Sequence, residues 1–239
     1  SFTVDAGDLV IVANATGDST DTLEITDSQG GTYWEYRTFF DQRIAPNNVP
    51  HMAALSVRES APTAGSMTIT ITLPAGPTGC TAIVLLIKNP TLYGTAAVRQ
   101  SNVDIDHKAD DTPSTPSLNI GAAMLSTSIA VGLVASRDPT PISAPTGSTE
   151  WGNVEIASPA FGIEVITRED DTSATVTWVG STIRYVVWLL EIKTTGIDHI
   201  DPIVGEPTTI SAHSLKAPSA SMTRLARTNN HWGFSWRKH

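Results

Sequence analysis

Residues 67–88 read MTITITLPAGPTGCTAIVLLIK. In the first part Met67, Ile69, Ile71 and Leu73 alternate with three threonines, the period-two pattern of a strand with one buried face. Pro74 to Gly79 supply loop chemistry. Thr81 to Lys88 then form a nearly continuous apolar run. Such a run suits a strand covered on both faces, or one central in a sandwich. Two strand types joined by a short loop predict an all-β chain, an antiparallel β-sandwich of jelly-roll or Ig-like kind.

The same patterns extend outward in both directions. Upstream are DLVIVANA (8–15), TLEIT (22–26), the aromatic TYWEYRTFFD (32–41) and HMAALSVR (51–58). Asp27-Ser28-Gln29-Gly30-Gly31 is a turn between two of these runs, with glycines able to take positive φ. Downstream, residues 89–118 are polar and carry Pro90, Pro113 and Pro116. They read as a linker or crossover with one short strand near Ser101 to Asp106. Further strands are expected at Ala123 to Ser136, Glu150 to Ile156, Ala160 to Thr167, Ser173 to Val179 and Arg184 to Lys193. No helix is predicted.

Composition agrees with a β-sandwich. Of 239 residues, 40% are hydrophobic and 16% charged. That is too apolar for a disordered chain and too weakly charged for a coiled coil. A single cysteine, Cys80, excludes an intrachain disulfide framework and a cysteine-based zinc site. The apolar runs are strand-length, so no membrane insertion is expected. The first residues, SFTVD, lack the basic flank and apolar stretch of a secretion signal, and the expectation is synthesis without one.

The two halves resemble each other. Val57-Arg58-Glu59-Ser60 matches Thr167-Arg168-Glu169-Asp170, and each is followed by an alternating strand and then an apolar strand ending Ile-Lys. DLVIVANA pairs with Ile129 to Ser136. The offset falls from about 120 to about 110 to about 105 along the chain, as shorter loops in the second half would give. The boundaries drawn are 1–88 for the first half, 89–118 for the linker, 119–206 for the second half and 207–239 for a C-terminal arm. Two such units can pair into one sandwich or stand as two sandwiches side by side.

Charge separates the arm from the body. Residues 1–206 carry 10 basic and 24 acidic side chains, a net of −14. The arm carries Lys216, Arg224, Arg227, Arg237 and Lys238 and no acid, a net of +5. An acidic body argues against nucleic-acid binding. The arm ends HWGFSWRKH (231–239), and three large aromatics among basic residues are costly to leave in water. Trp232, Phe234 and Trp236 are expected as anchors on a neighbouring subunit, with Arg237 and Lys238 answering its acidic surface. Arg224 and Arg227, three apart, suggest a short helical turn.

Signatures of catalysis are absent. Gly65-Ser66 and Gly147-Ser148 lack the flanking glycines of a nucleophile elbow, and no glycine-rich turn leads into a helix. No cofactor and no catalytic residue are expected. Asp104, Asp106, Asp110 and Asp111, with His107, form an oxygen-rich stretch that could hold Ca²⁺, as could Asp198, His199 and Asp201. A solvated loop accounts for the same residues, and DIDHKADD lacks the Gly and final Glu of a known calcium loop. Tyr33, Trp34, Tyr36, Phe39 and Phe40 could stack on sugars, but core filling plus interface packing is the preferred reading. Trp178 and Trp188, within apolar strands, read as core.

The stretches GDLVIV, ITDSQGGTYWEY, SMTITITLP and TAIVLLIK resemble β-sandwich virion proteins of tailed bacteriophages, either minor tail proteins or head-decoration and fibre proteins. The resemblance covers residues 5–193 and leaves the arm unexplained. It implies a non-enzymatic structural or adhesive role in the virion, made in the host cytoplasm. Other virion proteins and further copies of the chain, in a trimer, would be its partners. Capsid decoration is one alternative. A carbohydrate-binding module for host-surface glycans is another.

Overall fold

The structure, a computed structural model, describes residues 1–17, 23–41, 50–72, 79–88, 90–105, 115–136, 142–157, 160–169, 172–180, 185–194, 200–201, 205–206, 210–211, 220–228 and 231–237. The chain is an all-β antiparallel sandwich protein. Its first half comprises β1 (Phe2–Val4), β2 (Leu9–Gly17), β3 (Glu24–Asp27), β4 (Tyr33–Asp41), β5 (Pro50–Arg58), β6 (Gly65–Met67), β7 (Ile69–Thr72) and β8 (Gly79–Ile87). A helical turn α1 (Gly94–Ala97) and β9 (Val98–Ile105) follow. The second half comprises β10 (Ser117–Asn119), β11 (Ser128–Ser136), β12 (Ile142–Ser143), β13 (Ser148–Ala157), β14 (Ala160–Arg168), β15 (Thr175–Thr177), β16 (Val179–Gly180) and β17 (Tyr185–Lys193). Beyond it lie β18 (Ile200–Asp201), β19 (Gly205–Glu206), β20 (Ile210–Ser211), β21 (Ala220–Thr228) and β22 (His231–Arg237).

The pairing pattern repeats. In the first half β2 lies between β8 and β5, β5 pairs β4, β1 pairs β6 and β3 pairs β7. In the second, β11 lies between β17 and β14, β14 pairs β13, β10 pairs β15 and β12 pairs β16. The register carries the sequence offsets. Ile11 stands opposite Val57 and Leu85, and Val131 stands opposite Thr167 and Leu190. With β6 and β7 taken as one strand interrupted at Thr68, the second strand pairs the fifth and the third pairs the sixth, as in an Ig-like sandwich. The first and last strands have changed sheets relative to the immunoglobulin order.

Four layers result, and they explain the apolar runs. Along β2, Leu9, Ile11, Ala13 and Ala15 face away from Val10 and Val12. The first set packs against Ile129, Val131, Leu133 and Ala135 of β11 and against Val186, Trp188, Leu190 and Ile192 of β17. The two large sheets therefore lie face to face, with Tyr36 meeting Trp188 edge-on at 6.2 Å between ring centroids. Val10 and Val12 face the other way, onto Phe2, Met67, Ile69 and Ile71 of the outer strands. In the second half Ala130, Val134 and Leu189 face outward onto Leu118, Val176 and Trp178. A central strand here has no solvent face. Each fully buried Val, Leu or Ile contributes roughly 1.5–3 kcal/mol, and alternation disappears where both sides are covered.

The region expected as a linker does more than connect. It holds one helical turn, and β9 crosses from the first half to pair with β17 of the second. The chain after β17 returns the exchange, since β18 and β20 pair with β8. Each half thus covers an edge strand of the other, β17 along seven residue pairs and β8 at its two ends, which shortens the rows of unpaired backbone donors and acceptors.

Candidate functional site

The most heavily bonded polar group of the first half is built on the turn Asp27–Gly31. Asp27 is the last residue of β3 and Arg58 ends β5, so the sandwich brings residues 31 positions apart into contact. Arg58 Nε donates to Asp27 Oδ2 at 2.7 Å, and Tyr33 Oη donates to the same oxygen at 2.9 Å. Asp27 Oδ1 accepts from the amides of Gln29 at 2.8 Å and Gly31 at 3.1 Å. Arg58 also donates to the Ser60 carbonyl. Burial alone would raise the Asp27 pKa; Arg58, with the other donors, outweighs it and holds the carboxyl below its usual range. Burial and the Asp27 charge push the Tyr33 phenol far above its ordinary value. A Cβ on Gly31 would overlap both the Asp27 carboxylate and the Arg58 guanidinium, so this turn position admits only glycine.

A second network ties β9 to the second half. Glu191 of β17 is fully buried and accepts from Arg99 Nη1 and Gln100 Nε2, each at 2.6 Å, and from the Leu125 amide at 2.8 Å. Burial raises its pKa, and the Leu125 amide, Gln100 and Arg99 bring it below the ordinary value. Lys88 donates to Asp5 and Asp8 at 2.8 and 2.9 Å. The lone pairs of the Asp27 and Glu191 carboxylates are thus engaged by donors of the fold itself, which suits them to fastening elements together.

Asp104, the described member of the proposed calcium stretch, is exposed on β9. Asp106, Asp110 and Asp111, with His107, Asp198 and His199, lie outside the described residues; Asp201 sits in β18. Among the described residues no three His, Cys, Asp or Glu side chains group as metal ligands. Trp178 and Trp188 are core, 1% and 8% exposed. Trp34 is different: it lies on the edge strand β4 and is 49% exposed. Trp151 is half-buried and its indole donates to Thr167 Oγ1 at 2.6 Å.

The arm is extended rather than helical at Arg224 and Arg227, which both lie in β21. Strands β21 and β22 pair as a hairpin, with Arg224 opposite Phe234, Met222 opposite Trp236 and Ser221 opposite Arg237. Trp232 pairs with Gly205 of β19. The hairpin joins the body through Ala220 and Ser221, opposite Ile71 and Thr70 of β7. Lys238 lies outside the described residues.

Sequence reasoning passed over Glu164. It is fully buried on β14, between Ile163 and Val165, which face the middle core. The available signal was an acid inside a strand apolar on both faces, AFGIEVITR. Cys80 is also fully buried, and burial pushes its thiol up to about 12. Native protein at pH 8 is expected to leave Cys80 unmodified by a thiol reagent over hours, with complete labelling on unfolding in denaturant. Prompt native labelling would show that the β8 end of the first sandwich opens. No protein family, characterised protein or solved structure matches this chain.

Proposed function

We propose that this chain is a structural protein of a tailed-phage virion, a minor tail or tail-tip component that assembles through its sandwich surfaces and its C-terminal arm. The four-layer stack carries this reading. Three hydrophobic clusters fill the spaces between its layers, which yields a stiff slab. The arm supplies the means of attachment. Its net charge of +5 opposes the −14 of the body, and β21 seats on β7 through two residue pairs. The β7 of a neighbouring copy offers the same seat, and strand addition at a sheet edge is a common mode of docking. Trp232, Phe234 and Trp236 serve as anchors, and Arg224, Arg227, Arg237 and Lys238 answer the acidic surface. The chain has no catalytic role, and a closed trimer is the favoured assembly.

Truncation after residue 206 tests this. The full chain is expected to run as an oligomer by size-exclusion with light scattering, and the truncated chain at about one third of that mass. Unchanged assembly and partner binding after truncation would remove the proposal.

The exposed Trp34 favours a second reading, in which the edge of β4 stacks on a host glycan. A glycan array probed with the wild type and Trp34→Ala separates the two. Binding lost in the variant supports adhesion, and an array without hits dismisses it.

A further inference from the structure

The second sandwich buries an acid that no donor among the described residues answers. Glu164 is fully buried, and neither of its carboxylate oxygens receives a hydrogen bond from another residue's donor. This contrasts with Asp27 and Glu191, whose oxygens are well supplied. Glu164 stands opposite Val134 on β11 and Asn153 on β13, and two positions along its strand Ile166 stands opposite Glu150. Cross-strand partners share a face, so Glu150 and Glu164 are diagonal neighbours within side-chain reach. We propose that buried Glu164 is held protonated against Glu150, and that loss of this proton releases the edge strand β13 from β14, making the second sandwich a pH-sensitive latch.

Glu164 is enclosed while Glu150 is exposed, so a charge on Glu164 is costly and a charge on Glu150 is not. A protonated Glu164 can donate its hydroxyl to the Glu150 carboxylate, and the buried group is then satisfied. Burial first, and the Glu150 charge second, raise the Glu164 pKa from 4.5 to about 8. The other ionisable groups on this face are few. Arg168, on β14, donates to the Thr175 carbonyl at 3.1 Å, and Tyr185 belongs to β17. Glu155 stands opposite Gly162 in the register. Described side chains of β11 and of the outer strands, Val134 and Trp178 among them, supply no ionisable group on this face. Relief of an ionised Glu164 therefore comes by exposure. Strand β13 is the weak cover: among the described residues it is a sheet edge paired to β14 alone, and a bulge at Trp151 already interrupts its register.

The direction follows from proton binding. Between pH 4.5 and about 8 the folded chain keeps a proton that the unfolded chain has lost, so stability falls as pH rises across that window and levels above it. The test uses the full chain. Carbon-detected NMR of side-chain carboxyls is expected to show one glutamate titrating near pH 8, absent in Glu164→Gln. Amide exchange in β13 and β14, corrected for its intrinsic pH dependence, is expected to rise about tenfold from pH 7 to 9 in the wild type and to stay flat in the variant. All glutamates titrating below pH 6 would overturn the proton held on Glu164, on the wild type alone if the variant does not fold. Equal exchange profiles in the two proteins would overturn the latch.

Discussion

Asp27→Ala is expected to cost about 3–5 kcal/mol of folding stability, the range for removing one partner of a buried ion pair. Arg58 and Asp27 have side chains only 3% and 0% exposed. The substitution strands a guanidinium in the interior and removes the acceptor of Tyr33 Oη and of the Gly31 amide as well. Leaving such groups unpaired costs more than the pair was worth, because water cannot reach them. The double variant Asp27→Ala/Arg58→Leu is expected to recover part of the loss, since the buried charge is then gone. Urea unfolding of the wild type, both single variants and the double variant measures this. A single-variant loss under about 1 kcal/mol would show that the pair is solvated in solution. The same pair gives acid lability. The folded pKa of Asp27 is depressed, so its contribution is present above the unfolded value of 3.8 and is lost as pH falls through the folded one.

Truncating either face of β2 is expected to be damaging. Ile11→Ala empties space between the two large sheets, and Val12→Ala empties space inside the first sandwich. Both side chains are fully buried. Large-to-small changes at such sites cost about 2–5 kcal/mol for Ile and somewhat less for Val. A sheet with one solvent face would tolerate one of the two. Denaturant midpoints decide it, with Thr70→Ala on the outer face as the control, expected within about 0.5 kcal/mol of wild type. A neutral Ile11→Ala would mean that the two large sheets do not pack together.

Both predictions rest on contacts of different legibility. The strands could be read directly, because burial on one face leaves alternation and burial on two leaves a continuous apolar run. MTITITL and TAIVLLIK declare their environments residue by residue. The turn at Asp27–Gly31 was legible from its glycines, and the recurrence of Val-Arg-Glu-Ser as Thr-Arg-Glu-Asp was legible as spacing. That Asp27 and Arg58 meet was not, since nothing in either segment encodes a partner 31 positions away. The burial of Glu164 was hidden for a related reason. A glutamate in a strand looks like an outward residue until both faces are known to be covered. The exchange of β9 and β18 between halves was missed because edge pairing uses backbone groups, which every sequence carries alike.

Sequence alone determined the class of structure and the positions of the main body strands, since these follow from local periodicity and from turn residues with special backbone freedom. Tertiary structure decided which faces meet. It stacked the two large sheets, placed Arg58 on Asp27, and enclosed Glu164 without a donor among the described residues. Those outcomes depend on distances between segments far apart along the chain, and such distances are fixed only when all the layers close together.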